Sequence, residues 1–274
     1  MNSEIEYINK FRLDSKLVFV VGGLGLIGKD VVCALAEAGG KVIILDINNQ
    51  EGKTFVQEIN KNFQSFYEFF DCSEIKEIDK NLSLLIDKYG CPDVFVNCSW
   101  PRTKDYAENN FEDLKLDSLR KNVDIHMNSY AWLAISLAEA MVKKNKKGSI
   151  IQFGSTYGLV GQDLSIYKGT SMKENASYAL IKGGIVNLTR LMCSYYGQHS
   201  IRVNTICPGG IKGHVAGSSD SQEVTFIENY ENKVPLKRLG ESYEIGSPTL
   251  FLASDASSYV TGISLIVDGG WTAI

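Results

Sequence analysis

Residues 17–46 read LVFVVGGLGLIGKDVVCALAEAGGKVIILD, and this stretch decides the fold class. A short apolar, β-rich run (17–21) meets a turn with Gly22, Gly25 and Gly28 spaced G-x-x-G-x-x-G. Apolar residues at helical spacing follow, and a second run (41–46) ends in an acid. Glycine lets the chain turn sharply and lets the backbone amides of Leu26, Ile27 and Gly28 approach a pyrophosphate at the helix N-terminus. Glycines also simply make turns, so the motif gains its weight from the strand before it, the helix after it and the acid beyond. That acid, Asp46, lies eighteen residues past Gly28. A carboxylate there accepts hydrogen bonds from the adenosine ribose hydroxyls and repels a 2′-phosphate. Ile47, Asn48 and Asn49 bring no cation to offset that repulsion, so the expected cofactor is NAD in preference to NADP. The alternative is that Asp46 caps a helix.

Outward from this unit, further strand candidates fall at 65–71, 93–97, 149–155, 201–207 and 263–268, separated by stretches of helical spacing such as NSYAWLAISLAEAMVKK. Runs apolar on both faces, alternating with helices, predict an α/β doubly wound Rossmann fold with a seven-stranded parallel sheet. No composition break or repeat divides the 274 residues, so 1–274 reads as a single domain with loops at about 156–177 and 208–235. The second loop, glycine- and serine-rich and then helical, is either a flap over a site or an ordinary surface loop. A net charge of −4 and a pI near 5.5 argue against a nucleic-acid partner. No apolar run reaches the roughly 18 residues of a membrane span, and the start, MNSEIEYINKFRLDSK, has no signal-peptide core. Six cysteines without a C-x-x-C pair read as reduced thiols and a cytoplasmic location. Three separated histidines offer no metal site.

Tyr178 and Lys182 lie i,i+4 on a predicted helix and share a face. A neighbouring ammonium, helped by a cationic nicotinamide, is expected to depress a phenol that normally titrates near 10 and make it an acid–base group. Ser155, at the carboxyl end of the fifth predicted strand, is placed to hydrogen-bond the reacting oxygen.

With those residues in view the chain resembles the short-chain dehydrogenase/reductase family from about Leu17 to its end. The marks are VGGLGLIG, Asp46, Asp71, VNCS at 96–99, GS at 154–155, YALIK at 178–182, NTICPGG at 204–210 and the ending FLASDASSYVTGISLIVDGGW. The resemblance implies a nicotinamide cofactor and a Ser155–Tyr178–Lys182 centre. It also implies Asp71 and Cys72 at the adenine, Asn97 near the adenosine-side ribose, and Pro208, Gly209 and Ile211 beside the nicotinamide. Such enzymes usually form homodimers or homotetramers. Departures are visible too: Val21 and Leu26 replace the family's usual threonine and middle glycine, and Trp100 follows Asn97-Cys98-Ser99. His126 takes the place of the asparagine that completes a catalytic tetrad, and reads either as a proton-relay group or as a helix-packing residue.

Twenty-three positions separate Ser155 from Tyr178, more than the family's shorter branch usually keeps. The extra segment, GQDLSIYKGTSMKENA, is polar and is rooted on two catalytic residues, so it reads as a lid for a polar substrate or as an oligomer contact. Tyr167 and Lys168 within it, with Trp100, Arg102 and Lys104 of SWPRTKDY, form the candidate substrate set. A ring against a sugar face and a guanidinium forked onto an anion are recurring recognition chemistry, although Arg102 also reads as a solvated surface arginine. These stretches resemble a subgroup associated with surface-sugar and flagellin-glycan modification, around nonulosonic acid synthesis. The expected function is therefore NAD-dependent interconversion of a secondary alcohol and a ketone on a carbohydrate. Two alternatives stay open: a 3-oxoacyl-carrier-protein-like reductase, and an NAD-binding subunit that assists a partner enzyme of a sugar pathway.

Overall fold

Alternate side chains of the first strand feed two different cores, as the pleat of a sheet covered on both faces requires. In the computed structural model, which describes residues 6–214 and 221–274, Leu17, Phe19 and Val21 join one buried cluster, and Val18 and Val20 join another. Residues 1–5 of the expected leaderless start and 215–220 of the second expected loop lie outside the described residues.

The strands are β1 (Leu17–Val21), β2 (Lys41–Asp46), β3 (Ser65–Phe69), β4 (Val94–Asn97), β5 (Gly148–Phe153), β6 (Ile201–Pro208) and β7 (Ser264–Val267). They form one seven-stranded sheet in the order β3-β2-β1-β4-β5-β6-β7, parallel throughout. The expected doubly wound sheet is therefore present. The helices are α1 (Leu26–Glu37), α2 (Asn49–Ile59), α3 (Ile78–Tyr89), α4 (Leu116–Asn122), α5 (Ser129–Lys143), α6 (Ala176–Tyr196), α7 (Val224–Lys233) and α8 (Tyr243–Ala253). None among the described residues is long and apolar enough to cross a membrane.

Val31, Val32 and Leu35 of α1 meet Ile245 and Leu252 of α8 over one sheet face. Gly246 lets the two helices approach, since a Cβ there would stand 3.1 Å from the Asp30 carbonyl oxygen. Ile78 and Leu82 of α3, Leu133 and Leu137 of α5 and Met192 of α6 cover the other face. Between α4 and α5 the helix widens to a π turn over Val123–Asn128, an irregularity that often marks functional sites.

Two predicted strands end early. Register pairs Phe69 with Asp46, the last residue of β2, and the ladder on β5 closes at Phe153 opposite Ile206. Asp71 and Ser155 thus lie two residues beyond their strands, in the loops at the carboxyl edge. Chain connections run in opposite directions from β1 and β4, so a crevice opens between them at that edge, where ligands of such sheets bind.

A third, smaller cluster lies apart from the sheet. Ile166 of the insertion is buried with Phe226, Tyr230 and Val234, and Tyr157, Tyr167, Met172 and Trp271 pack around them.

Candidate active site

The glycine turn is shaped by contacts that only hydrogen permits. Gly22 has a φ of +74°, and a Cβ on it would sit 2.5 Å from the Ser99 backbone. A Cβ on Gly28 would stand 2.1 Å from the Gly22 carbonyl oxygen. Gly25 is the N-cap of α1 and has no side chain to bond the first amides, and no acid lies in the first turn. The N–H groups of Leu26, Ile27 and Gly28 are thereby left to an anion. The side chain of Leu26, in the family's glycine position, leans on Gly213 of the loop after β6, where a Cβ would be 2.6 Å from its Cδ2.

Asp46 braces this turn. Its Oδ2 accepts from Leu24 N (3.0 Å) and its Oδ1 from Ile47 N (2.8 Å). The cap of α2 is Asn48, whose side chain accepts from Glu51 N at 3.2 Å, so the capping alternative for Asp46 does not hold. Asp71 accepts from Ser73 N (2.9 Å) and Ser73 Oγ (2.6 Å), while burial pushes the neighbouring Cys72 thiol up to about 11. Asn97 is fully buried; its Oδ1 accepts from Ser99 Oγ at 2.7 Å, and its Nδ2 has no hydrogen-bond partner among the described residues. Beyond Pro208, Gly209 N donates to Val267 O (3.0 Å), and the Ile211 carbonyl accepts from Gln222 Nε2 (3.0 Å). An uncapped helix start, a carboxylate at the end of β2 and an orphaned amide in the crevice fit a dinucleotide.

The three candidate catalytic side chains lie near one another. Asn175 caps α6: its Oδ1 accepts from Tyr178 N (2.9 Å), and its Nδ2 donates to the Tyr106 carbonyl (2.8 Å). One turn along the helix, Lys182 is 5 % exposed and donates from Nζ to Phe153 O at 2.8 Å. The same Nζ lies 5.3 Å over the Tyr130 ring and 5.7 Å from that of Tyr178. Burial pushes Lys182 down to about 8. Ser155 is buried, and its Oγ accepts from Tyr157 N at 3.1 Å. The expected depression of Tyr178 is reversed by the protein's own groups. Burial raises the phenol against a lowering by the Ser155 hydroxyl, while the Lys182 ammonium is engaged with Phe153.

His126 sits in the π turn with its ring wholly buried, 5.2 Å from that of Tyr130. Neither ring nitrogen has a partner among the described residues, and burial, then the charge of Lys182, hold its pKa well below the ordinary value. Burial keeps the ring neutral; it packs against Tyr130 and feels the charge of Lys182.

On the open side, the Trp100 ring lies 5.5 Å from Tyr178 and 5.9 Å, edge-on, from Tyr106. Arg102 is half-buried with its guanidinium 5.5 Å over Trp100. Lys104 and Lys168 are exposed. Tyr167 stacks on Phe226 of α7, 6.1 Å apart at 22°, and burial pushes its phenol up to about 12. The insertion is docked rather than free. Asp163 pairs with Lys233 at 2.6 Å, and Asn229 Nδ2 donates to the carbonyls of Ile166 (3.1 Å) and Lys168 (2.9 Å). Tyr230 ties α7 to the post-β6 turn, its hydroxyl accepting from Gly210 N at 2.6 Å and its ring stacking on Trp271.

Trp100 and Arg102 thus gather at Tyr178, while Lys104 and Lys168 remain at the surface. Sequence reading missed Tyr106, Tyr130, Tyr157 and Asn175. Asn175 carried a legible signal, an N-cap residue type directly before a helical run. Tyr157, next to Ser155, and Tyr106, at the end of SWPRTKDY, carried only proximity.

A family model described as Enoyl-(Acyl carrier protein) reductase matches residues 25–272. The chain is 28% identical over 261 residues to post-translational flagellin modification protein A of Campylobacter coli, covering 94% of this chain and 99% of that one. It is 28% identical over 267 residues to an L-rhamnose-1-dehydrogenase of Scheffersomyces stipitis, covering 94% and 96%. The crystal structure of a short chain dehydrogenase from Leptospira borgpetersenii with bound NAD+ superposes with a TM-score of 0.81 at 29% identity, covering 99% and 98%. With the sheet order and the glycine cradle, these matches show that the chain belongs to the short-chain dehydrogenase/reductase family, oxidoreductases acting on CH–OH groups, and is similar to the flagellin-modification subgroup.

Proposed function

We propose that the chain uses NAD to interconvert a secondary alcohol and a ketone on a carbohydrate, either a sugar, a sugar phosphate or a nucleotide sugar. The observation that carries this reading is the convergence of Ser155, Tyr178 and Lys182 beside the cradle, beneath the ring of Trp100. A bound nicotinamide dinucleotide supplies the acceptor or donor of hydride. In the oxidative direction Tyr178 would act as the phenolate, its proton lost when the charges of Lys182 and a bound cationic nicotinamide offset its burial. It would then take the hydroxyl proton while Ser155 holds the oxygen, where its hydrogen bond counts most as charge develops. Lys182 gives one N–H to Phe153 and keeps two donors for a ribose hydroxyl and the tyrosine. His126, with both ring nitrogens open, is the candidate for passing the proton onward.

Asp46 supports NAD, because a carboxylate ends β2 against the glycine turn with no cation on the residues that follow. Trp100 and the name of the rhamnose-oxidising relative support a carbohydrate. Trp132 on α5 and Leu180, Leu191 and Tyr195 on α6 are exposed apolar groups and support a homodimer or homotetramer. Six unpaired cysteines support a cytoplasmic location. The wording of the matching family model favours acyl-carrier-protein reduction as a second reading, against which the acid at Asp46 and the net charge of −4 weigh.

The test is NADH formation from free sugars, sugar phosphates and nucleotide sugars, with Tyr178→Phe as control. Wild-type turnover on one sugar class is expected, with Tyr178→Phe retaining NAD binding and losing turnover about 10³-fold. Substantial residual activity in that variant removes Tyr178 from the role.

A further inference from the structure

Two hydrogen-bond donors around the Trp100 ring have no protein acceptor among the described residues. The Tyr106 hydroxyl is buried without a hydrogen-bond partner among the described residues. The Arg102 guanidinium has no carboxylate in ion-pair range among the described residues, and only the Trp100 ring lies under it. Withdrawing a cation partly from water without a counter-charge is unfavourable, and so is burying an unsatisfied hydroxyl. The two groups are neighbours: the ionised forms of Tyr106 and Arg102 influence each other, and Tyr106 and Tyr178 influence each other as well. Both side chains contact the same indole, Tyr106 edge-on and Arg102 above it. The nearest acid in sequence, Asp105, is held below the usual carboxylate range by Thr103 and Ser118 and not by Arg102, with which it forms no ion pair among the described residues.

One ligand chemistry satisfies both donors at once, an oxyanion. A carboxylate or phosphate accepts the guanidinium fork and a phenolic hydroxyl together, whereas a neutral sugar hydroxyl leaves the cation uncompensated. Two steps of 5.5 Å, from the Tyr178 ring to Trp100 and from Trp100 to Arg102, put the guanidinium no more than 11 Å from the phenol ring. A single sugar unit with a terminal anionic group spans that distance, its ring or chain lying against Trp100.

We propose that Arg102 and Tyr106 form a receptor for an anionic substituent of the substrate, so that the preferred carbohydrate is a sugar acid or a sugar phosphate. The assignment rests on the carbohydrate-oxidoreductase reading above. It predicts selectivity against neutral sugars of the same size. The exposed Lys104 and Lys168 contribute long-range attraction only.

Binding separates this inference from turnover. In a Tyr178→Phe background, which keeps the ring under Trp100, calorimetry with NAD bound compares sugar acids, sugar phosphates and inorganic phosphate with their neutral sugar counterparts. At least one anion is expected to bind more tightly than its neutral counterpart. Arg102→Gln is expected to weaken that anion about thirty-fold, the worth of a charge-assisted bidentate contact. Arg102→Lys is expected to recover part of the loss, and Tyr106→Phe to weaken the anion more than the neutral sugar. Which anion class responds distinguishes carboxylate from phosphate. If no anion binds more tightly than its neutral counterpart, or if Arg102→Gln moves the anion-to-neutral ratio less than threefold, the receptor assignment is overturned. Arg102-dependent binding without wild-type oxidation of any sugar would sink the oxidoreductase reading and leave the receptor standing.

Discussion

Replacing Asp46 by asparagine separates two effects of one carboxylate. Its two oxygens accept from Leu24 N, Ile47 N and Asn48 N, and in the proposed reading its charge opposes a 2′-phosphate on the adenosine ribose. Asparagine has a single acceptor oxygen; with that oxygen in the Oδ1 place, one of the three backbone bonds, from Leu24 N, is lost at about 1 kcal/mol, and the turn persists. The charge effect is larger. A unit charge about 5 Å from a doubly charged phosphate in water-like surroundings is repelled by roughly 2 kcal/mol. Removing it shifts the NADP-to-NAD preference toward NADP by about twenty- to thirty-fold. The shift shrinks with added salt, because the group stands at a partly open edge. The assay is kcat/KM with each cofactor at a fixed alcohol concentration, beside the dissociation constants of NADH and NADPH measured by fluorescence. Wild type should favour NAD, and Asp46→Asn should lose only a few-fold with NAD while gaining with NADP. A wild type that prefers NADP, or a ratio that moves less than threefold, refutes the assignment of Asp46 as the discriminating charge.

Asn175→Ala removes the cap of α6 and the tie to the Tyr106 carbonyl, and should cost about 1 kcal/mol, read as a melting point lower by a few degrees, together with a fall in kcat. The depressed pKa of His126 means that the unfolded chain takes up a proton near pH 6.5 that the folded chain refuses. Stability is therefore full above that pH and is lost as the pH falls below it. His126→Asn should flatten the decline in denaturant midpoint between pH 7 and 5.5, and an unchanged slope would count against a neutral buried ring.

The sheet was legible because its strands are apolar on both faces, and all seven candidates are strands. Their ends were less legible, since β3 stops where its partner β2 stops, a fact of register rather than of local composition. Ser155, Tyr178 and Lys182 stood out by their spacing as a candidate set, but the raised phenol did not, because burial depends on what the rest of the chain packs around it. The insertion read as polar, and most of its residues are. Yet Ile166 and Tyr167 turn inward against Phe226, a partner some sixty residues away that no local pattern announces. Tyr106 and Arg102 lay together in SWPRTKDY, but only the fold shows that the Tyr106 hydroxyl is buried without a partner among the described residues and that both side chains share the Trp100 ring.

Ile166, Phe226, Tyr230, Val234 and Leu239 make a cluster of their own, distinct from the two that sandwich the sheet. Tyr157, whose N–H donates to the Ser155 hydroxyl, packs against this cluster, so a substitution there reaches Ser155 through a single neighbour. The insertion and α7 are bound to each other by their own apolar centre, so a change of side-chain volume in one is answered first by the other.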